Sequence, residues 1–260
     1  MGEVVMRAYE TLRVDRDELA LTVTIDRPAK RNALSEVVLG ELADLLVDHI
    51  PEDVRGVLLV GAGEQAFVAG ADITRMAQMT PAEGATFGRL GQRVTELVEA
   101  VPVPVIACVD GVALGGGCEL ALACDLIFAT ERSTLGQPEV ALGLIPGFGG
   151  CVRLGERVGP GCARELIFSG RHVGADEARA IGLVDRVFAS RAELLAGARE
   201  QIARFSTRSA SAIAACKRVL VALAGKTRAE QLALEAREFA RVFDTPDKRE
   251  GVAAFLAKRG

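Results

Sequence analysis

Tryptophan is absent from the 260 residues, tyrosine occurs once, and aromatics make up only 4% of the chain. Proteins that grip single-stranded nucleic acid stack bases on aromatic side chains along a basic groove. With a formal net charge of -4 and no basic stripe, the sequence argues against a nucleic-acid partner. Histidine stands only at positions 49 and 172, far apart, which argues against a zinc site or a Ser-His-Asp nucleophile; His172 reads as a surface residue. The six cysteines, at 108, 118, 124, 151, 162 and 216, form no C-x-x-C pair and mostly lie in apolar runs. They read as buried free thiols rather than disulfides. Cys118 and Cys151 are expected to be small core residues, since no histidine is available to activate them. The N-terminus shows no basic stretch leading into an apolar segment and a small-residue cleavage site. No apolar run reaches the ~18 residues of a membrane span. A cytoplasmic protein with no membrane insertion is the expectation.

What is present is a large, nearly Trp-free core. Hydrophobic residues make up 50% and charged residues 25%, so Ala, Leu and Val must fill the interior of a globular chain. Leu19, Leu21, Val23 and Ile25 alternate with Thr22 and Thr24 over residues 18–26, the pattern of a half-buried strand. Ser35 caps a helix carrying Val37, Val38, Leu42, Leu45 and Leu46 at helical spacing. Val57–Val60, Val103–Val109 and Leu126–Phe128 are further strands. Thr80-Pro81-Ala82-Glu83 is a capping box with proline at the first helical position. Strands alternating with helices give an α/β architecture. After about residue 190 the pattern becomes helical throughout, with capping boxes at Ser190–Glu193 and Thr227–Glu230. The chain therefore divides into an α/β body over 1–189 and a helical region over 190–260, which packs on the body or on a neighbouring subunit.

Two glutamates lie beside glycine-rich backbone. Glu119 stands in Gly111-Val-Ala-Leu-Gly-Gly-Gly-Cys-Glu119, and Glu139 sits in Gly136-Gln-Pro-Glu139-Val-Ala-Leu-Gly-Leu-Ile-Pro-Gly147-Phe-Gly-Gly150. Glycine lets backbone N–H groups approach a bound oxygen closely, and a carboxyl pair can divide acid and base work around one water. Taken singly, Glu119 is also what a first helical turn favours beside its dipole, and Glu139 what a solvated loop carries. Phe67-Val-Ala-Gly-Ala71-Asp-Ile and Ala113-Leu-Gly-Gly116 could each aim one N–H into a cleft, which together would make an oxyanion hole. A helix opening at Gly116 would add its positive end to the same field. Donors plus two carboxyls suggest chemistry at a polarised carbonyl with water as reactant.

These motifs, in this order, resemble the crotonase superfamily, and within it the enoyl-CoA hydratases. The resemblance runs nearly end to end, from Ile25-Asp-Arg-Pro-Ala-Lys-Arg-Asn-Ala-Leu34 to Thr245-Pro-Asp-Lys-Arg-Glu-Gly251-Val-Ala-Ala-Phe255-Leu-Ala-Lys-Arg259. It implies a spiral of ββα turns followed by a helical trimerisation region. It also implies reversible syn addition of water to a trans-2-enoyl-CoA by a homotrimer or dimer of trimers, with no metal or redox cofactor beyond the coenzyme A of the substrate. By the same resemblance, the N–H groups of Ala71 and Gly116 form the oxyanion hole and Glu119 holds the attacking water. Glu139 delivers the proton to Cα, and the Gly147 backbone helps orient the water or Glu139. Lys30, Arg31, Ala69, Asp72 and Ile73 are the positions assigned to coenzyme A and substrate. Relatives that only shift a double bond generally lack a glutamate at the 119 position, so two glutamates favour hydration. The alternatives are double-bond isomerisation, hydration of a specialised acyl-CoA, and a non-catalytic scaffold, which would show damaged glutamates or glycines. Thr74 stands where a basic residue is common, with Arg75 adjacent, and Leu135 replaces a frequent aromatic. The chain ends soon after Phe255, so contacts from a longer tail to the nucleotide are expected to be absent.

Overall fold

The computed structural model describes residues 8–257; Lys258 and Arg259, where the resemblance ends, lie outside them. The strands are β1 (Leu12–Arg16), β2 (Ala20–Ile25), β3 (Gly56–Gly61), β4 (Ala66–Val68), β5 (Val105–Val109), β6 (Val112–Leu114), β7 (Leu126–Thr130), β8 (Thr134–Gly136), β9 (His172–Gly174) and β10 (Arg186–Phe188). The helices are α1 (Glu36–Asp48), α2 (Ile73–Met76), α3 (Pro81–Ala100), α4 (Gly116–Leu122), α5 (Gly150–Val158), α6 (Pro160–Ser169), α7 (Ala175–Ala180), α8 (Arg191–Ser206), α9 (Ala210–Val221), α10 (Arg228–Val242) and α11 (Pro246–Ala257).

Two sheets organise the body. The larger has the order β1-β2-β3-β5-β7-β10 and is parallel except for β1. The smaller has the order β4-β6-β8-β9 and is parallel except for β9. Three times in succession the chain places one strand in the large sheet, one in the small sheet and then a helix: β3-β4 with α2 and α3, β5-β6 with α4, β7-β8 with α5. Each turn lays its strands beside those of the turn before. This is the expected ββα spiral, and the mixed α/β class agrees with it.

The residues explain the arrangement. Strands β3 and β5 are continuous apolar runs and are buried along their whole length, as parallel strands covered on both faces must be. One face of the large sheet presents Leu21, Val23, Ile25, Val57, Leu59, Val105 and Ala107 to the main core. The other presents Ala20, Leu58, Val60, Ile106, Cys108 and Phe128 to Leu194, Ala198 and Ile202 of α8. The alternation over 18–26 predicts a half-buried strand, yet all six residues of β2 are buried, Thr22 and Thr24 included. Those threonines pair in register with Leu58 and Val60, so they share the face that α8 covers.

Helix starts follow their caps. Ser35 accepts from the Val38 N–H, and Thr80 and Thr227 form reciprocal capping boxes with Glu83 and Glu230. Ser190 accepts from the Glu193 N–H. From α8 onward the described chain is helical. The change at residue 190 is one of secondary structure and not a gap in packing, since α8 completes a core. Helix α9 is pinned to the body by the buried Lys217, whose Nζ donates to Asp125 at 2.7 Å and to the carbonyls of Val98 and Val103 at 3.2 and 3.1 Å. A buried ammonium is tolerated only when paired and hydrogen-bonded in this way. No helix among the described residues is long and apolar enough to cross a membrane.

Cys108, Cys118 and Cys124 are buried free thiols, and desolvation pushes the first two up to about 12. Cys151 corrects the expectation of a core residue. It is exposed, because α5 buries the line of Gly150 and Leu154 and turns Cys151 outward.

Helix α4 lies so close to β4 that a Cβ on Gly117 would sit 2.0 Å from the Val68 carbonyl oxygen and 2.7 Å from its Cβ. Backbone cannot yield as a flexible side chain can. Gly117→Ala is therefore expected to destabilise by roughly 1–3 kcal/mol, the range for overpacking. At roughly 2–4 °C per kcal/mol for a chain of this size, the melting temperature falls by several degrees. Thermal unfolding followed by circular dichroism checks this; an unchanged midpoint would mean the helix can move off the strand freely.

Candidate active site

The first two donors are set by peptide geometry. A trans peptide points its C=O and its N–H in opposite directions. The Gly70 carbonyl accepts from the Leu34 N–H at 2.8 Å, and the Asp72 N–H donates to Leu34 O at 2.9 Å. The Ala71 N–H, which shares its peptide with Gly70 O, must then point away from Leu34. Likewise the Gly115 carbonyl accepts the first bond of α4 from the Glu119 N–H at 2.9 Å, so the Gly116 N–H points out of the helix at its positive end. Neither N–H has a protein acceptor among the described residues. The two positions face each other: a Cβ on Gly116 would lie 3.5 Å from the Ala71 nitrogen.

Glu119, on the first turn of α4, is almost fully buried, with 2% exposure. Its Oε1 accepts from the N–H groups of Phe148 at 2.7 Å and Gly150 at 2.6 Å. Both of these bonds go to Oε1 and neither to Oε2. Burial raises the Glu119 pKa above the usual carboxylate range; the N–H groups of Gly150, Phe148 and Gly147 and the Arg153 charge oppose that rise.

Glu139 opens a short 3-10 turn, Glu139–Leu142, directly after β8 and the Gln137-Pro138 step. Its Oε1 lies 2.7 Å from where a Gly115 Cβ would be, and Gly115 has a φ of 49°. Glycine is required there twice over, for the left-handed backbone and for the space the carboxyl fills. With its amide nitrogen toward the carboxyl, the buried Gln137 donates to both Glu139 oxygens at 3.1 and 3.2 Å. Desolvation first, and the charge of Glu119 after it, raise the Glu139 pKa to about 7. Two carboxyls with raised pKa values in one cleft can divide acid and base work between them.

Ala71, Gly116 and the two glutamates open onto one cavity of about 690 Å³. Among the residues named from the sequence, Ala71, Gly116, Glu119, Glu139, Gly147, Ala69 and Ile73 line it. Lys30, Arg31 and Asp72 do not. The turn of Lys30 and Arg31 flanks the rim, where Arg31 O accepts from the Ala69 N–H at 3.0 Å. The Asp72 carboxylate pairs with Arg27 at 3.5 Å. Gly147 directs its carbonyl to Gln92 Nε2 at 3.0 Å. Thr74 is exposed, Arg75 pairs with Glu36, and Leu135 is buried in β8.

The cavity's apolar part is walled by Met76, Met79, Phe87, Leu142, Leu144 and Phe148. The rings of Phe87 and Phe148 meet edge to face at 5.3 Å. Sequence reasoning did not single out Gln137, Phe87 or the Phe148 and Gly150 donors. Gln137, Phe148 and Gly150 stand inside the glycine-rich motif of Glu139, but their contacts, like the place of Phe87, appear only once α3 and α5 are folded against α4.

Comparison with known proteins identifies the family. The profile of the enoyl-CoA hydratase/isomerase family matches residues 16–260. A short-chain-enoyl-CoA hydratase of Clostridium acetobutylicum is 41% identical over 248 residues, covering 95% of this chain and 94% of that protein. A crotonyl-CoA hydratase of Syntrophomonas wolfei is 40% identical over 254 residues, covering 97% of each. The crystal structure of an enoyl-CoA hydratase from Bacillus anthracis superposes with a TM-score of 0.90 at 35% identity, covering 96% of this chain and 97% of that one.

Proposed function

The chain belongs to the enoyl-CoA hydratase/isomerase family, and from that premise we propose that it is an enoyl-CoA hydratase, adding water reversibly and syn to a trans-2-enoyl-CoA to give a 3-hydroxyacyl-CoA. One observation carries this: two acid–base carboxyls and two unpartnered N–H groups converge on a single, mostly apolar cavity. The thioester oxygen takes the Ala71 and Gly116 N–H groups, which stabilise the charge that grows there as the enolate forms. Glu119, its Oε1 fixed by two backbone donors, holds water with Oε2. Glu139, protonated for a large fraction of molecules near neutral pH, faces Cα. In the forward step the water oxygen bonds to Cβ and a water proton passes to Glu119. The proton of Glu139 goes to Cα, and the enolate returns to the thioester of the 3-hydroxyacyl-CoA. The pair ends with its proton on the opposite partner and exchanges it back before the next turnover. This chemistry calls on no metal or redox group.

The test is a panel of trans-2-enoyl-CoA esters of increasing chain length, followed by loss of the conjugated-thioester absorbance. Crotonyl-CoA should be consumed and 3-hydroxybutyryl-CoA should form. Conversion of 3-enoyl to 2-enoyl esters without hydration would transfer the assignment to an isomerase.

The proposed assembly is a trimer or dimer of trimers in the cytoplasm. Helices α9 to α11 leave Leu220, Leu232, Phe239, Phe243, Phe255 and Leu256 exposed, more apolar surface than a monomer's helices carry without a partner. Multi-angle light scattering at micromolar concentration is expected to give a mass three or six times that of the chain; a monomer mass would reject the assembly.

A further inference from the structure

The turn that feeds Glu119 is gripped from behind. Phe148 O accepts from Arg153 Nη1 at 3.1 Å and from Thr95 Oγ1 at 3.0 Å. Arg153 itself makes a two-pronged ion pair with Glu99 of α3, Nε to Oε1 at 2.6 Å and Nη2 to Oε2 at 2.7 Å. Its guanidinium lies in space that only a glycine at 149 leaves open, with Nη1 2.1 Å from the position of a Gly149 Cβ. On the opposite side of the same turn, the Phe148 and Gly150 N–H groups hold Glu119 Oε1. One short segment thus has its carbonyl fixed by α3 and Arg153 while its N–H groups fix the carboxylate. The planar, fork-shaped guanidinium suits this task, since it meets both Glu99 oxygens and still has a donor for the carbonyl.

Resting on the hydratase reading, we propose that the Glu99–Arg153 pair is a positioning element of the reaction, which holds the Phe148–Gly150 turn, and through it Glu119, in the geometry that presents Oε2 to water. Neither residue lines the cavity, so they act through the turn and not on the substrate. A charge effect works in the same direction. Burial drives Glu119 toward its neutral form, and Arg153 opposes that. The titratable groups around Glu119 are Arg153 and Cys151 of α5, Glu139 of the turn after β8, and Cys118 on its own helix. Glu96, Glu99 and Glu156 act in turn on Arg153. Glu119 must be ionised to accept a proton from water, so losing Arg153 should move the acidic limb of the pH profile upward.

The experiment compares wild type with Arg153→Gln, Arg153→Lys and Glu99→Gln, in the full chain, for crotonyl-CoA hydration. Arg153→Gln is expected to lower kcat by about 10- to 100-fold, the scale on which a displaced catalytic group loses rate, with KM changed less than threefold. The acidic limb of kcat/KM should shift upward. Arg153→Lys, which keeps the charge but not the fork, should keep the wild-type acidic limb while losing part of kcat. Glu99→Gln should lose less than Arg153→Gln. If Arg153→Gln fails to fold, the lysine and Glu99 variants carry the test. Normal kcat in the variants would overturn the proposal, as would kcat losses that follow the fall in melting temperature with no change in the pH limb. A wild-type protein that hydrates no enoyl-CoA ester would instead remove the hydratase reading, and the positioning role with it.

Discussion

Glu139→Gln should lower hydration of crotonyl-CoA by at least ~100-fold, the low end of acid–base contributions, while the protein becomes more resistant to unfolding above pH 7. Both halves come from one physical fact. Burial beside Glu119 raises the Glu139 pKa from 4.5 to about 7. Across that window the native state keeps a proton that the unfolded chain has released, so stability falls as pH rises from about 4.5 to about 7. Glutamine never ionises and escapes that loss. The gain is at most ~3 kcal/mol by the shift alone, and less because solvent in the cavity screens the carboxyl. Melting temperatures measured at pH 5 and pH 8 should therefore diverge between wild type and variant at pH 8 and converge at pH 5. In kcat/KM the alkaline limb, which reports loss of the Glu139 proton in the free enzyme, should disappear. Glu119→Gln should also lose at least ~100-fold, because an amide nitrogen in place of Oε2 donates to the water and cannot take its proton. Near-normal turnover in either variant would remove that residue from the mechanism. If Glu119→Gln keeps only double-bond isomerisation, the isomerase alternative gains.

Much of the frame was legible because local signals were strong. Thr80-Pro81-Ala82-Glu83 and Thr227–Glu230 marked helix starts that the structure keeps, and Val57–Val60 and Leu126–Phe128 marked strands of the large sheet. The spiral itself was not legible from periodicity. Strands β4, β6 and β8 are three residues each, too short for alternation to be recognised, and they hold the same backbone that the glycine motifs mark. Thr22 and Thr24 looked solvent-facing because polar side chains alternate with apolar ones there. That α8, far along the chain at Arg191–Ser206, covers their face is a tertiary fact no local window contains. At the site, Glu119, Glu139, Ala71 and Gly116 could be named because each sits within one of three recognisable motifs. The contacts that tune them could not. Phe148, Gly150 and Arg153 reach Glu119 or its turn from α5 and the residues just before it, and Glu99 reaches Arg153 across 54 positions. Cys151 was misjudged for a related reason: its apolar neighbourhood in sequence says nothing of which way α5 faces.

The proposed oxyanion hole carries the other large expected effect, and there the backbone would act instead of a side chain. Loss of one such donor typically costs 10²–10³ in kcat. Gly116→Pro deletes the N–H at a helix position where proline's fixed φ is tolerated, although Gly115, with φ 49° and ψ -124°, has to accept a proline after it. Activity alone is therefore an ambiguous readout, and the carbonyl itself must be observed. In wild type, a bound unreactive enoyl-CoA analogue should show its thioester C=O stretch moved to lower frequency by two N–H donors and the positive end of α4. In Gly116→Pro most of that displacement should vanish while analogue affinity falls far less than turnover, because the donors matter most once negative charge has formed. A crystal structure of the wild-type complex should place the carbonyl oxygen about 2.7–3.1 Å from both the Ala71 and Gly116 nitrogens. Glu119 and Glu139 should lie on the same side of the acyl chain, over Cβ and Cα. A carbonyl turned away from both nitrogens, or carboxyls too far apart to share one water, would leave these groups without a part in hydration. An unshifted stretch in wild type would say that the unpaired N–H groups of Ala71 and Gly116 serve only the turn and the helix that contain them.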